Sequence, residues 1–246
     1  MKKPTPRAPS SRAVLARLFG ASAKGIANVR SVLAGYAEVG GREVCVIGTC
    51  DGTYIDNAAA LRLAGHVIDC IERHPKAPIV MLVDSAGQEP NRVAEMLGLA
   101  SYFGHLLTCL ELARRQGHKL VTVATGKAVG GAFICYGMFG DRIYALDSAS
   151  VGLMPIEAMS AVTKIPVAVL EKLSRTMPSL EFGAQPFALL GGVEDVWSAD
   201  DDVPARLADA IATSTTEDNR AVLGKKRGGR KLALDIRQRV LAESAR

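Results

Sequence analysis

Two stretches limit the architecture more than anything else in the sequence. "PIVMLVD" at 78–84 and "KLVTVA" at 119–124 are apolar runs bounded by turn-forming residues. A strand with one wet face alternates apolar and polar residues. A strand covered on both faces does not, and that condition is typical of parallel sheets sandwiched by helices. Each run leads into a glycine-bearing segment, "SAGQEPNR" and "TGKAVGGA", read here as loops. A helical pattern follows each one. Met96, Ala100, Phe103, Leu107 and Leu110 mark one face of a helix over 93–116 that ends at Gly117. "GAFICYGMFG" is a second, short helix.

The same unit occurs upstream. A β-type run at 43–49 follows a Gly40–Gly41 turn, and Ala60, Leu63, Ala64 and Val67 have helical spacing over 56–73. Asp56 or Asn57 is the expected N-cap, and "HPKAP" stops the helix because proline and the residue before it resist continuing one. Strand, loop and helix therefore recur over 43–73, 78–116 and 119–140. "DRIYAL" and "ASVGLM" read as further strands. From Pro155 the chain is mainly helical (156–163, 166–175, 185–190, 203–213 and 231–243), with a strand-like "GGVEDVW" between. Alternation of this kind predicts an α/β domain whose helices cover the sheet. Ligands in such folds bind at segments leaving the C-terminal ends of strands, which is where both glycine-bearing segments lie.

Charge is divided unevenly. Residues 1–37 hold seven Lys or Arg and no acid, and 224–246 hold eight basic residues against two acids. The intervening 38–223 has 15 basic and 23 acidic residues. The body is acidic and only the ends are basic, so nucleic-acid binding through a folded basic surface is not expected. "GKKRGGRK" reads as a solvated or partner-docking tail, and "MKKPTPRAPSSR" as a disordered one. No apolar stretch approaches the ~20 residues that span a bilayer, so no membrane association is expected, and the N-terminus has no signal-peptide core. Five cysteines without paired spacing read as buried thiols in a reducing compartment, with a cytoplasmic location.

Side-chain chemistry is sparse. "GKAVGGA" fits neither phosphate-binding pattern, since no Lys-Ser/Thr follows the last glycine. Cys70 and His74 share a helical face without a second pair of metal ligands, so no metal is expected. Ser85 lacks the nucleophile-elbow context and reads as a turn-capping residue. Backbone chemistry remains. At Gly130, Gly131 and Ala132 a helix opens, and its first N–H groups have no intrahelical partner. Glycine admits a ligand oxygen to hydrogen-bond distance, and two converging amides make an oxyanion hole. Close packing of helix on strand also favours glycine there, and spacing alone leaves both readings open.

Together these segments resemble the carboxyltransferase branch of the crotonase-like superfamily. The likeness spans 78–197 and rests on "PIVMLVDSAGQ", "TGKAVGGAF", "DRIYAL" and "LLGGVEDVW". Within the branch, "VDSAGQ", "ELARRQGH" and "VTKIP" are most similar to the γ subunits of biotin-independent malonate decarboxylases. In α-type acyl-CoA carboxylase subunits the second glycine segment reads closer to GEGGSGGA. Here Lys127, Ala128 and Val129 replace its Glu-Gly-Gly portion, while Gly130–Ala132 keep the amide-donating end.

The resemblance implies a crotonase-like α/β spiral of ββα units, a single domain over 25–223 with a helical C-terminal part, flanked by basic segments 1–24 and 224–246. It implies decarboxylation of a malonyl thioester, carried on the CoA-like prosthetic group of an acyl carrier protein, with no covalently bound cofactor in this chain. Backbone amides of Gly130, Gly131 and Ala132, with Gly87 and Gln88, would stabilise the oxyanion. Ser85, Thr125 and Lys127 would contact the substrate. A β-type carboxyltransferase subunit would supply the other half of the site. Two alternatives stay open: the carboxyltransferase subunit of a biotin-dependent acyl-CoA carboxylase, and a non-catalytic scaffold with the same shape.

Overall fold

The computed structural model describes residues 9–229 and 232–244. The chain begins with helix α1 (Ser11–Phe19) and a 3-10 turn, followed by strands β1 (Ile26–Val29), β2 (Val32–Val39), β3 (Arg42–Thr49) and β4 (Thr53–Ile55). Helix α2 (Asn57–Arg73) leads to β5 (Ile79–Gln88), then α3 (Arg92–Met96) and α4 (Leu99–Arg115). Next come β6 (Leu120–Val129), α5 (Gly130–Cys135), β7 (Arg142–Leu146) and β8 (Ser150–Gly152). Helices α6 (Ile156–Thr163), α7 (Val167–Ser174) and α8 (Ala184–Leu189) precede β9 (Asp195–Trp197). Helices α9 (Val203–Thr213), α10 (Arg220–Lys226) and α11 (Ala233–Ser244) complete it.

The strands form one sheet in the order β1-β2-β3-β5-β6-β7-β9, with β4 attached to β5 and β8 to β6. Pairing is antiparallel from β1 to β3 and parallel from β3 to β9. The unbroken apolar runs have the predicted cause. Ile79, Met81 and Val83 of β5 face one core with Leu63, Leu110 and Phe133, while Val80 and Leu82 face a second with Leu18, Trp197 and Leu207. The first core lies under α2, α4, α5 and α8; the second lies under α1 and α9.

Three sequence expectations change. The segment 1–24 does not end in a disordered run: from Ser11 it is a helix, capped by Ser10, with Val14, Leu15, Leu18 and Phe19 buried. Those four sit at i, i+1, i+4 and i+5, so they share one face, and burying Leu18 alone contributes roughly 2 kcal/mol. Residues 1–8 of that expected tail lie outside the described residues. The helix expected over 93–116 is two helices, because Gly98 takes φ +79° and breaks the ladder between them. The boundary expected at 223/224 falls inside α10. Just beyond it, Arg227 is fixed to the body through the Gly191 carbonyl (3.0 Å) and Glu194 (3.0 Å). Arg230, Lys231 and Arg246 of the basic C-terminal segment lie outside the described residues.

Asp56, rather than Asn57, caps α2 by accepting from the Ala59 N–H (2.6 Å). At the far side of the sheet, Lys119 donates to the carbonyls of Ile211 (3.0 Å) and Ala212 (3.2 Å) at the C-terminal end of α9. A cation there satisfies orphan carbonyls and opposes the helix dipole.

Candidate functional site

Each glycine-bearing segment begins as strand rather than loop, because β5 and β6 run on past their apolar halves, to Gln88 and Val129, and change partners. The first half of β5 pairs with β3 and β6; its end pairs with β4 at Tyr54↔Gly87 and Ile55↔Gln88. In the same way β6 leaves β7 after Ala124, and Lys127–Val129 pair with Ser150–Gly152 of β8. The register shifts between Val83 and Ser85, at the corner. Asp84 repairs the ladder there: its carboxylate accepts from the Lys127 N–H at 2.8 Å. A Cβ on Gly126 would lie 2.3 Å from the Asp84 carboxylate carbon. Gly126 is thus glycine for the sake of Asp84, not for a ligand.

Gly130 and Gly131 have a different neighbour. Gly130 takes φ +66°, and the Gln88 side-chain oxygen lies 3.5 Å from where its Cβ would stand and 3.2 Å from that of Gly131. Helix α5 starts here with no side-chain cap, so its first amides have no intrahelical acceptor. Gln88, Gly131 and Ala132 line one cavity of about 330 Å³, within the range of small-molecule sites. Leu99, Phe103 and Leu107 of α4 form its apolar wall, and Glu95 and Cys135 also reach it. Gly131 is exposed and Ala132 is buried.

The remaining expected residues are not brought to that cavity. Ser85 is buried, and its hydroxyl accepts from the Gly87 N–H and donates to the Gly87 carbonyl (both 3.1 Å). This also engages the Gly87 amide, which was expected to face the substrate; Gly87 instead provides a turn at φ +123°. Thr125 is buried and donates to the Val83 carbonyl (3.3 Å). Lys127 is exposed, and its stem and ammonium pack over Gly52 in the turn between β3 and β4. Ser85 and Thr125 therefore hold the corner, and Lys127 faces away. Sequence reasoning missed Glu95, because an exposed acid on a helix carries no periodic signal, and Asp84, whose role depends on a bend invisible in sequence.

A larger cavity of about 620 Å³ lies beside Leu107, between Arg115, Phe139 and Arg220. Its charges are already paired: Glu111 with Arg114 and Arg115, and Asp218 with Arg220. Its polar groups satisfy one another, whereas the amides above Gln88 have room for a ligand oxygen. Burial holds the Tyr136 phenol, on the same short helix turn, well above its ordinary range and pushes the Cys50 thiol up to about 12. Neither is poised for proton transfer near neutral pH. Among the described residues no group of three or more His, Cys, Asp or Glu could hold a metal, and no helix is long and apolar enough to cross a membrane.

The bent strand pair, with helices packed on both faces, is the mixed α/β fold of the crotonase-like carboxyltransferases. It is shared with the β subunit of geranyl-CoA carboxylase from P. aeruginosa (TM-score 0.61, 18% identity, 85% of this chain and 43% of that one). It is also shared with the transcarboxylase 12S hexamer (TM-score 0.69, 22% identity, 85% of this chain and 42% of that one). A Pseudomonas malonate decarboxylase hetero-tetramer in complex with coenzyme A matches with a TM-score of 0.76 at 21% identity, covering 97% of this chain and 100% of that one. The chain belongs to the malonate decarboxylase gamma subunit family, whose profile matches residues 53–244. Among relatives, the malonyl-S-ACP:biotin-protein carboxyltransferase MADD of Malonomonas rubra is 34% identical over 181 residues, 68% of this chain. That match spans 61% of the relative's length.

Proposed function

We propose that this chain acts as the γ-type subunit of a malonate decarboxylase and supplies backbone amides that stabilise an oxyanion. The observation that carries this reading is the meeting of Gln88, Gly131 and Ala132 on one apolar-walled cavity. Loss of carbon dioxide from a malonyl thioester leaves an enolate whose charge rests on the thioester oxygen. Amides already aimed at that oxygen need no reorganisation, and a low-dielectric wall strengthens them. The Gln88 carboxamide, next to Gly131, orients the departing carboxylate. The thioester is carried on a CoA-like prosthetic group of a carrier protein, and this chain holds no covalent cofactor.

A β-type carboxyltransferase subunit completes the site. The similar Pseudomonas malonate decarboxylase structures are a hetero-dimer and hetero-tetramers, and helices α6 and α7 expose apolar residues that suit such a partner. The Malonomonas relative favours a second reading, in which the carboxyl group passes to biotin instead of leaving as carbon dioxide.

The test is release of labelled carbon dioxide from malonyl-CoA by the co-expressed two-subunit complex, without biotin. Gly131→Val places bulk against Gln88 and over the amides, and turnover is expected to fall ~100-fold with the complex intact. Unchanged turnover would remove the oxyanion role. A biotin requirement would move the chain to the carboxyl-transferring class.

A further inference from the structure

The cavity is lined by a carboxylate that has no side-chain partner among the described residues. Glu95 reaches it from α3, Gly131 and Ala132 line it from the start of α5, and its other walls are largely apolar. Nearby acids are engaged: Glu111 with Arg114 and Arg115, and Asp141 with Arg114. The Glu95 carboxylate makes no hydrogen bond or ion pair with any described residue. It is held in place through its backbone, because Asn91 caps α3 by accepting from the Ala94 N–H (2.8 Å) and the Gly98 N–H donates to the Glu95 carbonyl (2.9 Å). The residue is exposed on one side, which gives it contact with bulk water. An acid beside apolar walls and without a counter-ion contributes nothing to packing, and it is the one carboxyl group lining this cavity.

Decarboxylation creates a need for such a group. The bond between the α-carbon and the carboxylate breaks, carbon dioxide leaves neutral, and the electron pair stays as the enolate. Acetyl thioester forms only when that carbon gains a proton. We propose that Glu95 donates it, an inference that rests on the decarboxylase reading above. Once carbon dioxide departs, the Glu95 O–H proton forms the new C–H bond, and the carboxylate recovers a proton from water at its exposed side. The net change is malonyl thioester plus one proton to acetyl thioester plus carbon dioxide.

Two readouts on the co-expressed complex test this: carbon dioxide release from malonyl-CoA, and exchange of the acetyl-CoA α-hydrogens in deuterated water, which samples the proton step alone. Glu95→Gln is expected to slow exchange ~100-fold, while the complex keeps its melting temperature. Glu95→Asp should restore part of the exchange. Wild-type exchange in Glu95→Gln, with carbon dioxide still released, would overturn the proposal and leave the decarboxylase reading intact. So would loss of exchange in Cys135→Ala but not in Glu95→Gln, which would assign the proton to the thiol. A wild-type complex showing neither release nor exchange would overturn the decarboxylase reading and this inference together.

Discussion

The strands β5 and β6 and the helices α6 and α7 are both rich in apolar residues, yet they differ completely in burial. From Ile79 to Val83 every residue of β5 is inaccessible, as is nearly all of β6. Helix α6 buries none of its residues and α7 buries only Leu170. Val162 is 71% exposed and Val169 46% exposed. The sheet has finished its packing within this chain, and the helix pair has not. Contiguous exposed apolar surface is characteristic of interaction sites. The chain comes near the candidate cavity just before α6, where the Leu153 carbonyl lies 3.7 Å from where a Cβ on Gly130 would stand.

The largest expected effect lies on the finished side. Asp141 and Arg114 are both buried, joined at 2.7 Å, and the Asp141 carboxylate also accepts from the Leu120 N–H (2.9 Å). Burial outweighs the arginine, so the Asp141 carboxyl stands above its ordinary range. Asp141→Ala leaves Arg114 with only half-exposed Glu111 as counter-charge, and about 3 kcal/mol of stability should be lost in urea unfolding. Replacing both, as Arg114→Met with Asp141→Leu, should recover most of it. If the single change costs nothing, the core is looser than its burial indicates, and the contrast weakens from that side.

A middle-sized effect belongs to the unfinished side. Val162→Asp should change the stability of the isolated chain by less than about 0.5 kcal/mol, as for other exposed positions. Its affinity for a β-type subunit, measured by calorimetry, should fall ~30-fold, the loss of a central interface residue. A large loss of stability without loss of affinity would invert the comparison: the helices would then be packed, and the partner would bind elsewhere.

This division also decides what the sequence could reveal. Continuous apolar runs such as "PIVMLVD" have one good explanation, so the parallel strands and their covering helices were legible. The α2 cap was legible to within one residue, Asp56 or Asn57, because both precede a clear helical period. The β1–β2 hairpin was not, since its first strand is short and mostly exposed. At the site, Gly131, Ala132 and Gln88 were legible as backbone and carboxamide groups at the ends of adjacent strands. The corner at Asp84 was not, because a change of strand partner leaves no pattern in a single chain. It turned Ser85, Thr125 and Gly87 from expected substrate contacts into parts of the bend. Gly126 and Gly131 look alike in sequence; only their neighbours, Asp84 and Gln88, separate a structural glycine from a candidate functional one.

The smallest effect concerns the seam where the C-terminal segment returns to the finished core. Arg220 and Arg114 both lie over the Phe139 ring, at 4.6 and 4.7 Å from its centre. Asp218 fixes Arg220 through its side chain at 2.7 and 2.9 Å, and these bonds hold the Asp218 carboxyl down to about 2. A carboxyl depressed in the folded state stabilises fully above its unfolded value near 3.9. That contribution disappears as pH falls through about 2. The pair is partly exposed, so solvent screening keeps its worth under about 1 kcal/mol. Asp218→Asn should therefore lower the melting temperature slightly at neutral pH and not at all at the acid end of that window. Asp141 works in the opposite direction, because its raised carboxyl gains its proton more readily in the folded chain, and acid relieves part of its burial cost. A mutant–wild-type difference that persisted unchanged to the acid end would mean that Asp218 acts through packing. The return of the chain would then belong with the finished core, and the unfinished region would be confined to α6 and α7.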